Sequence, residues 1–188
     1  VPVAPNVRSL AIAQDRFLEK RFVSGLGIAT APFRDVTSET AAKDAFAALG
    51  GPAVLKTRRL GYDGKGQQKV VSTEDCARAF AAMGGVPCIL EKFVDFAYDP
   101  PKNEHENHIL RRSTVPSPLD PEKSAEAVAV ARRIAESLDY VGVLGVELFI
   151  GKNGEIAVNE LAPRVHNSGH WTIDACVVSQ FEQHIRAV

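Results

Sequence analysis

The chain has 188 residues, of which 45% are apolar, and a net charge of −1. That is enough to bury one or two cores, and it gives no electrostatic case for nucleic acid or a membrane surface as partner. Three cysteines, Cys76, Cys88 and Cys176, are widely spaced and odd in number, which argues against a disulfide framework or a thiolate metal site and for a reducing, cytoplasmic setting. No apolar run is long enough to span a bilayer. The start, "VPVAPNVRSLAIAQDR", has neither a signal-peptide pattern nor an initiator Met, as expected of an excised or trimmed piece.

In chain order, Ser9 is expected to cap one helix through "LAIAQDRFLEKRFVSGLG", stopping at Gly25 or Gly27. A short strand follows around "APFRDV". Ser38 caps the alanine-rich helix "ETAAKDAFAAL", which Gly50-Gly51 ends. "AVLKT" reads as a buried strand, and "RRLGYDGKGQQKVV" as a glycine-rich loop running into another. "STEDCARAFAAMGG" reads as a helix capped by Ser72 or Thr73, and "PCILEKFV" again as a strand. "DPPKNEH" reads as a surface loop. Pro121 opens a helix whose Val128, Ala131, Ile134, Ala135 and Leu138 form one apolar face. "GVELFIGKNGEIAVNELAPR" reads as a hairpin, followed by an irregular loop "APRVHNSGH" and a short helix "SQFEQHIRAV". Strands mixed with helices, with at least one antiparallel pairing, give an α+β class.

The hairpin raises the first chemical question. With Asn153-Gly154 as a two-residue turn, Lys152 faces Glu155, Phe149 faces Val158, and Glu147 faces Glu160. Opposed like charges on adjacent strands repel. Either the edge is solvated or the register slips by one, which would separate the two carboxylates; otherwise a hard dication sits between them. Mg²⁺ suits that last reading, since it takes one or two carboxylates plus waters and phosphates, and Asn159 stands beside them. "GYDGKGQ", Gly61 to Gln67, is either an anion-cradling loop with Lys65 at its tip or an ordinary turn at Asp63-Gly64. It matches neither the P-loop nor the dinucleotide fingerprint. Lys56, ending an apolar strand, either meets an anion or snorkels at an edge. "RVHNSGH" gathers Arg164, His166, Asn167, Ser168 and His170, donors suited to phosphate or carboxylate. Its bland reading is a hydrogen-bonded loop that caps the next helix. Pro163 and Gly169 speak against the helix that a zinc-binding His-x3-His would need.

The order of these features, a strand lysine, a glycine-rich loop, a strand ending in "EKFV" and a hairpin with two carboxylates, resembles the ATP-grasp fold. The stretches "IAQDRFLEK", "GIATAPF", "LKTRRLGYDGKGQ", "LEKFVDF", "HENHIL", "VGVLGVELF" and "NELAPRVHNSGHWTIDACVVSQFEQHIRAV" are similar, more narrowly, to the 5-(carboxyamino)imidazole ribonucleotide synthase family of ATP-grasp ligases. The resemblance implies two α+β lobes, each with a mainly antiparallel sheet. The small lobe would span about 32–93. The large lobe would span about 94–188 and include the N-terminal helix 9–27. ATP and Mg²⁺ would lie between them, and the flanking N- and C-terminal domains of the family are absent from this stretch.

By resemblance, Arg16 and Lys56 contact ATP phosphates, and Gly61, Tyr62, Asp63, Gly64, Lys65, Gly66 and Gln67 form a mobile lid over them. Glu91, Lys92, Phe93 and Val94 form the hinge that reads adenine through backbone groups and a ribose hydroxyl through a carboxylate. His105 lies near the nucleotide. Glu147 and Glu160 hold Mg²⁺, with Asn159 adjacent. Arg164, His166, Asn167, Ser168 and His170 face bicarbonate and 5-aminoimidazole ribonucleotide, with Arg164 and Lys56 in catalytic roles. The implied reaction is ATP-dependent carboxylation of that ribonucleotide by a homodimer of the full-length chain. Another ATP-grasp ligase, a nucleotide-binding module without turnover and a zinc-binding interaction domain are the rival readings; "HNSGHWT" argues against the first. Near Phe96-Ala97 a strand–turn–strand of the family is missing. Asp99 occupies the place of its nucleotide-contacting glutamate in an unrelated context, so that role is not carried over. The expectation is that two stretches join here across omitted residues.

Overall fold

The stretch expected to form one N-terminal helix forms two. Asn6 accepts from the Ser9 backbone N–H and caps α1 (Val7–Ala13). Ser9 is therefore not the cap; it is buried in the first turn, and its hydroxyl donates to Asn6 Oδ1 at 3.0 Å. Asp15, in extended conformation, then accepts from the Phe17 and Leu18 N–H groups and starts α2 (Arg16–Gly25). A short acidic side chain that bonds forward to the backbone ends one helix and begins another. The structure is a computed structural model that describes residues 3–61, 66–98, 100, 102–106 and 109–188, with the backbone alone at 98, 102, 105 and 109. Tyr62, Asp63, Gly64 and Lys65 of the expected lid, the His105 side chain and Asp99 lie outside the described residues.

β1 (Phe33–Val36), β2 (Ala53–Thr57), β3 (Gln67–Val70) and β4 (Cys88–Lys92) form an antiparallel sheet in the order β1-β4-β2-β3. α3 (Glu39–Leu49) and α4 (Thr73–Ala82) start at the caps Ser38 and Ser72. Both helices pack on this sheet, burying Phe46 and Phe80 against Val36, Leu55, Val70 and Leu90. Cys76 and Cys88 sit in the same core, where burial pushes both thiols up to about 11 and keeps them unreactive.

A second antiparallel sheet has the order β5 (Phe96–Tyr98), β8 (Gly145–Gly151), β9 (Ile156–Ala162). It packs against α2 and α5 (Pro121–Ser137) through Val23, Ile134, Leu138, Leu148, Ile150 and Val158. The apolar face of α5 is rotated from the expected one. Ala127 and Val130 pack with Ile134 and Leu138, and Val128 is 57% exposed. β6 (Lys102–Glu106) and β7 (Ile109–Thr114) pair with each other as a separate two-stranded sheet. Lys102–Glu106 is thus a strand and not the expected surface loop; its mostly polar residues leave no apolar alternation to read. β5 runs through the Phe96-Ala97 junction, and Phe96 stacks on Phe149 with ring centroids 4.2 Å apart. Among the described residues this sheet has no further strand, and β5 takes the free edge of β8. The chain ends in a 3₁₀ turn (Asn167–Gly169), α6 (Thr172–Ala175) and α7 (Gln180–Ala187). No helix among the described residues is long and apolar enough to cross a membrane.

The hairpin departs from expectation twice. Gly151 N–H donates to Glu155 and Gly154 N–H to Gly151. The tip is therefore the three residues Lys152, Asn153 and Gly154, and Lys152 does not pair with Glu155. Gly154 takes the positive φ of 79° that such a tip needs. Phe149 faces Ala157, not Val158. The register then shifts between Glu147 and Leu148, where Asn159 is the extra residue of β9, and Glu147 faces Glu160 as expected. One residue gained at the tip and one at the bulge cancel.

Candidate functional site

The bulge decides what faces the cleft. A residue inserted into one strand re-aims its side chain. Here Asn159 Nδ2 donates to Glu147 Oε2 at 3.0 Å. His166, at the start of the 3₁₀ turn, brings Nε2 to 3.4 Å from Glu147 and 4.0 Å from Glu160. Ligand atoms of Glu147, Glu160 and His166 all lie within 4.8 Å of one another. The other ring nitrogen of His166 meets the Ser168 hydroxyl at 2.9 Å. Gln180 at the start of α7 anchors the loop, accepting from His166 N–H and donating to its carbonyl. Ser168 is thus turned to the histidine, while His166, Asn167, His170 and Arg164 line the cleft.

That cleft holds about 600 Å³. Its other wall is Lys56 of β2, Gln67 of β3, Gly61 and Arg16. Arg16 donates to the carbonyls of Thr57 and Gly61, so it ties down the start of the glycine-rich loop. Asp15 steadies the same segment by pairing with Arg58 at 2.7 Å. Burial alone would raise Asp15, but the Arg58 hydrogen bond and charge, with the two cap N–H groups, hold it below the usual carboxylate range. Cation donors on one wall and a carboxylate pair on the other suit a polyphosphate with a hard dication between them.

The expected hinge, Glu91 to Val94, lies at the end of β4 and just beyond it. The Lys92 and Phe93 N–H groups are committed to the carbonyls of Pro32 and Pro52. Lys69 lies over the Phe93 ring, 4.2 Å from its centroid. Lys92, Phe93 and Val94 do not line the cleft. The Glu91 carboxylate is turned inward: Oε2 lies 3.0 Å from Lys56 Nζ and 3.5 Å from Lys20 Nζ. Burial would raise Glu91, but the two lysines outweigh it and hold the carboxyl below its ordinary value.

Sequence reasoning missed Glu19 and Lys20. Both share the face of α2 that carries Val23, and they are 3% and 2% exposed. Charged residues three and four positions before a buried valine were the available signal. Lys20 Nζ donates to the carbonyls of Val158 and Asn159 at 3.2 and 2.7 Å. Burial lowers its amine below the ordinary value, and Glu91 pulls the other way. Glu19 Oε2 accepts from Leu161 N–H at 3.0 Å, and its Oε1 has no partner among the described residues. Burial pushes this carboxyl up to about 8, so Glu19 is protonated at neutral pH.

Comparison with known proteins agrees with this arrangement. N5-carboxyaminoimidazole ribonucleotide synthase of Brucella melitensis is 47% identical over 205 residues, covering 99% of this chain and 57% of that protein. The chain spans little more than half the length of the curated relatives it matches. The alignment is longer than the chain, so that relative carries residues with no counterpart here. The crystal structure of N5-carboxyaminoimidazole ribonucleotide synthetase from Thermus thermophilus superposes with a TM-score of 0.90 at 41% identity, covering all of this chain and 55% of that one. The Aspergillus clavatus synthase in complex with ADP and 5-aminoimidazole ribonucleotide gives 0.88 at 27% identity, covering 100% of this chain and 54% of that one. The ATP-grasp domain model matches residues 21–100 and 97–181, two segments that overlap at 97–100. With a match that runs through both walls of the cleft, the chain belongs to the ATP-grasp family.

Proposed function

We propose that this chain is the nucleotide-binding domain of an ATP-dependent ligase that carboxylates 5-aminoimidazole ribonucleotide with bicarbonate, releasing ADP and phosphate. One observation carries the reading: Glu147 and Glu160, joined by Asn159 and His166, face Lys56 and Arg16 across one cleft. The names of the relatives and the two ligands in the Aspergillus clavatus complex support the substrate.

The donor set fits Mg²⁺, since two carboxylates on adjacent strands repel unless a cation or proton intervenes. Glu147 and Glu160 would hold the ion, which when bound neutralises phosphate charge. Lys56 and Arg16 hold the phosphate oxygens, and residues 61–67 cover them. Residues 91–94 take the adenine side, with His105 near the nucleotide. Arg164, His166, Asn167, Ser168 and His170 orient bicarbonate and the ribonucleotide. Bicarbonate attacks the γ-phosphate to give carboxyphosphate, and the substrate amine captures the activated carbon. The protein supplies positioning and charge neutralisation. Residues 32–93 form the small lobe and 94–188 with the N-terminal helices the large one. The active protein is a cytoplasmic homodimer of a longer chain. The test is ADP release by the longer protein with and without bicarbonate and 5-aminoimidazole ribonucleotide. Release that depends on both is expected, and release indifferent to both overturns the reading. Because the chain spans about half of its relatives, a second reading is ATP binding without turnover by this stretch alone.

A further inference from the structure

Lys20 touches both sheets from beneath the cleft. Its ammonium has three protons to place, and three acceptors surround it. Two are the carbonyls of Val158 and Asn159, at 3.2 and 2.7 Å, on the bulged strand of the second sheet. The third is Glu91 Oε2, at 3.5 Å, on the central strand β4 of the first sheet. From each acceptor a short path leads to the cleft. Asn159 holds Glu147 through its side-chain amide, and Glu160 follows it directly in β9. Glu91 holds Lys56 at 3.0 Å. The carboxylate wall and the lysine wall of the cleft are therefore pinned to one buried nitrogen.

We propose that Lys20 is a positioning residue that sets the spacing between the cation-holding carboxylates of the second sheet and the phosphate-holding Lys56 of the first, so that Mg²⁺ and nucleotide bind cooperatively. The proposal rests on the reading of the cleft as a Mg²⁺·ATP site. Lys20 touches no ligand in this scheme; it acts through Asn159 and Glu91. Its second effect is on charge. With two lysines sharing one Glu91 oxygen, Lys56 is not wholly neutralised and keeps donors for phosphate. Without Lys20 the Glu91 charge falls on Lys56 alone.

The measurement is the affinity of the longer protein for ADP, by calorimetry, with Mg²⁺ and with EDTA. The ratio of the two affinities is the readout. In Lys20→Met the affinity in EDTA is expected to stay within about threefold of wild type, while the enhancement by Mg²⁺ falls about tenfold or more. A purely structural role would lower both affinities together and leave the ratio unchanged, which would overturn the proposal. Removing one member of a buried ion pair can also unfold a protein, so Lys20→Met/Glu91→Gln is the companion variant. It removes both of the fully buried charges and leaves only Lys56, at the cleft wall, and it is expected to melt near the wild-type temperature and still to lack the enhancement. Wild-type enhancement in the double variant would equally overturn the positioning role. If the unmodified protein shows no enhancement of ADP binding by Mg²⁺, it is the reading of the cleft that fails.

Discussion

Asn159 donates its side-chain amide to Glu147 at 3.0 Å, across a hairpin where the backbone register has just shifted by one residue. A bulge residue so placed aims a carboxylate it does not pair with. Replacing it by Leu removes a hydrogen bond to a charged group, a loss of about 1.5–3 kcal/mol. The expected outcome for Asn159→Leu is a fall in Mg²⁺-dependent ADP release of about tenfold to a hundredfold. The circular dichroism spectrum should not change.

Glu160 is half-exposed and stands in the cleft wall. Glu160→Gln is expected to abolish Mg²⁺-dependent turnover while shifting stability by no more than about 0.5 kcal/mol. Chemical denaturation and ADP release on the same sample check both halves, and wild-type turnover in this variant would remove Glu160 from the metal role.

Gly154 closes the hairpin tip with φ 79°. A β-branched side chain there is strained by about 1–2 kcal/mol. Gly154→Val should lower the free energy of unfolding by that amount in urea titration. Gly154→Asn should recover most of it, because asparagine tolerates the left-handed region.

Glu19 gives a pH signature. Its folded-state value is raised to about 8 from 4.5, so the folded protein keeps a proton that the unfolded chain releases. Its contribution to stability is full below about 4.5, falls as pH rises, and is lost above about 8. Glu19→Gln removes this dependence. In chelator-treated protein the melting temperatures of variant and wild type should coincide near pH 4.5, and the variant should gain steadily up to about pH 8.

Asp15 is shifted the other way and does two jobs, capping α2 and holding Arg58. Asp15→Ala should cost about 2–4 kcal/mol. The wild-type contribution is present above the ordinary carboxylate range and lost on acidification through the depressed value. The stability gap between wild type and variant should therefore close at low pH.

The elements with local signals were legible before the structure. Ser38 and Ser72 sit where helices begin, Pro121 opens α5, and Gly50 ends α3, because caps and breakers act within a turn of themselves. The opposition of Glu147 and Glu160 was legible because the tip and the bulge offset each other, although the inner register was off by one. β6 and β7 were not legible as strands, since residues that pair only with each other need no apolar alternation. The break at Asp15 was hidden by a pattern that continues through both helices. The contact of Lys20 with Glu91 was hidden for a different reason: it joins positions far apart in sequence. Most of the cleft lining followed from the family resemblance, and its buried supports came only from the folded chain.

The offsetting tip and bulge of the β8–β9 hairpin make its register a matter of parity. Were the tip to tighten to Asn153-Gly154 with the bulge kept, Glu147 would face Leu161; were the bulge to straighten with the three-residue tip kept, Glu147 would face Asn159. Either slip alone carries Glu160 to the opposite side of the ribbon, and only the two together restore the facing pair. The exposed end of the hairpin and the stretch beside the carboxylates are therefore coupled in conformation, some distance apart along the strand. A loop that looks free to rearrange is constrained by a pair of side chains it never touches.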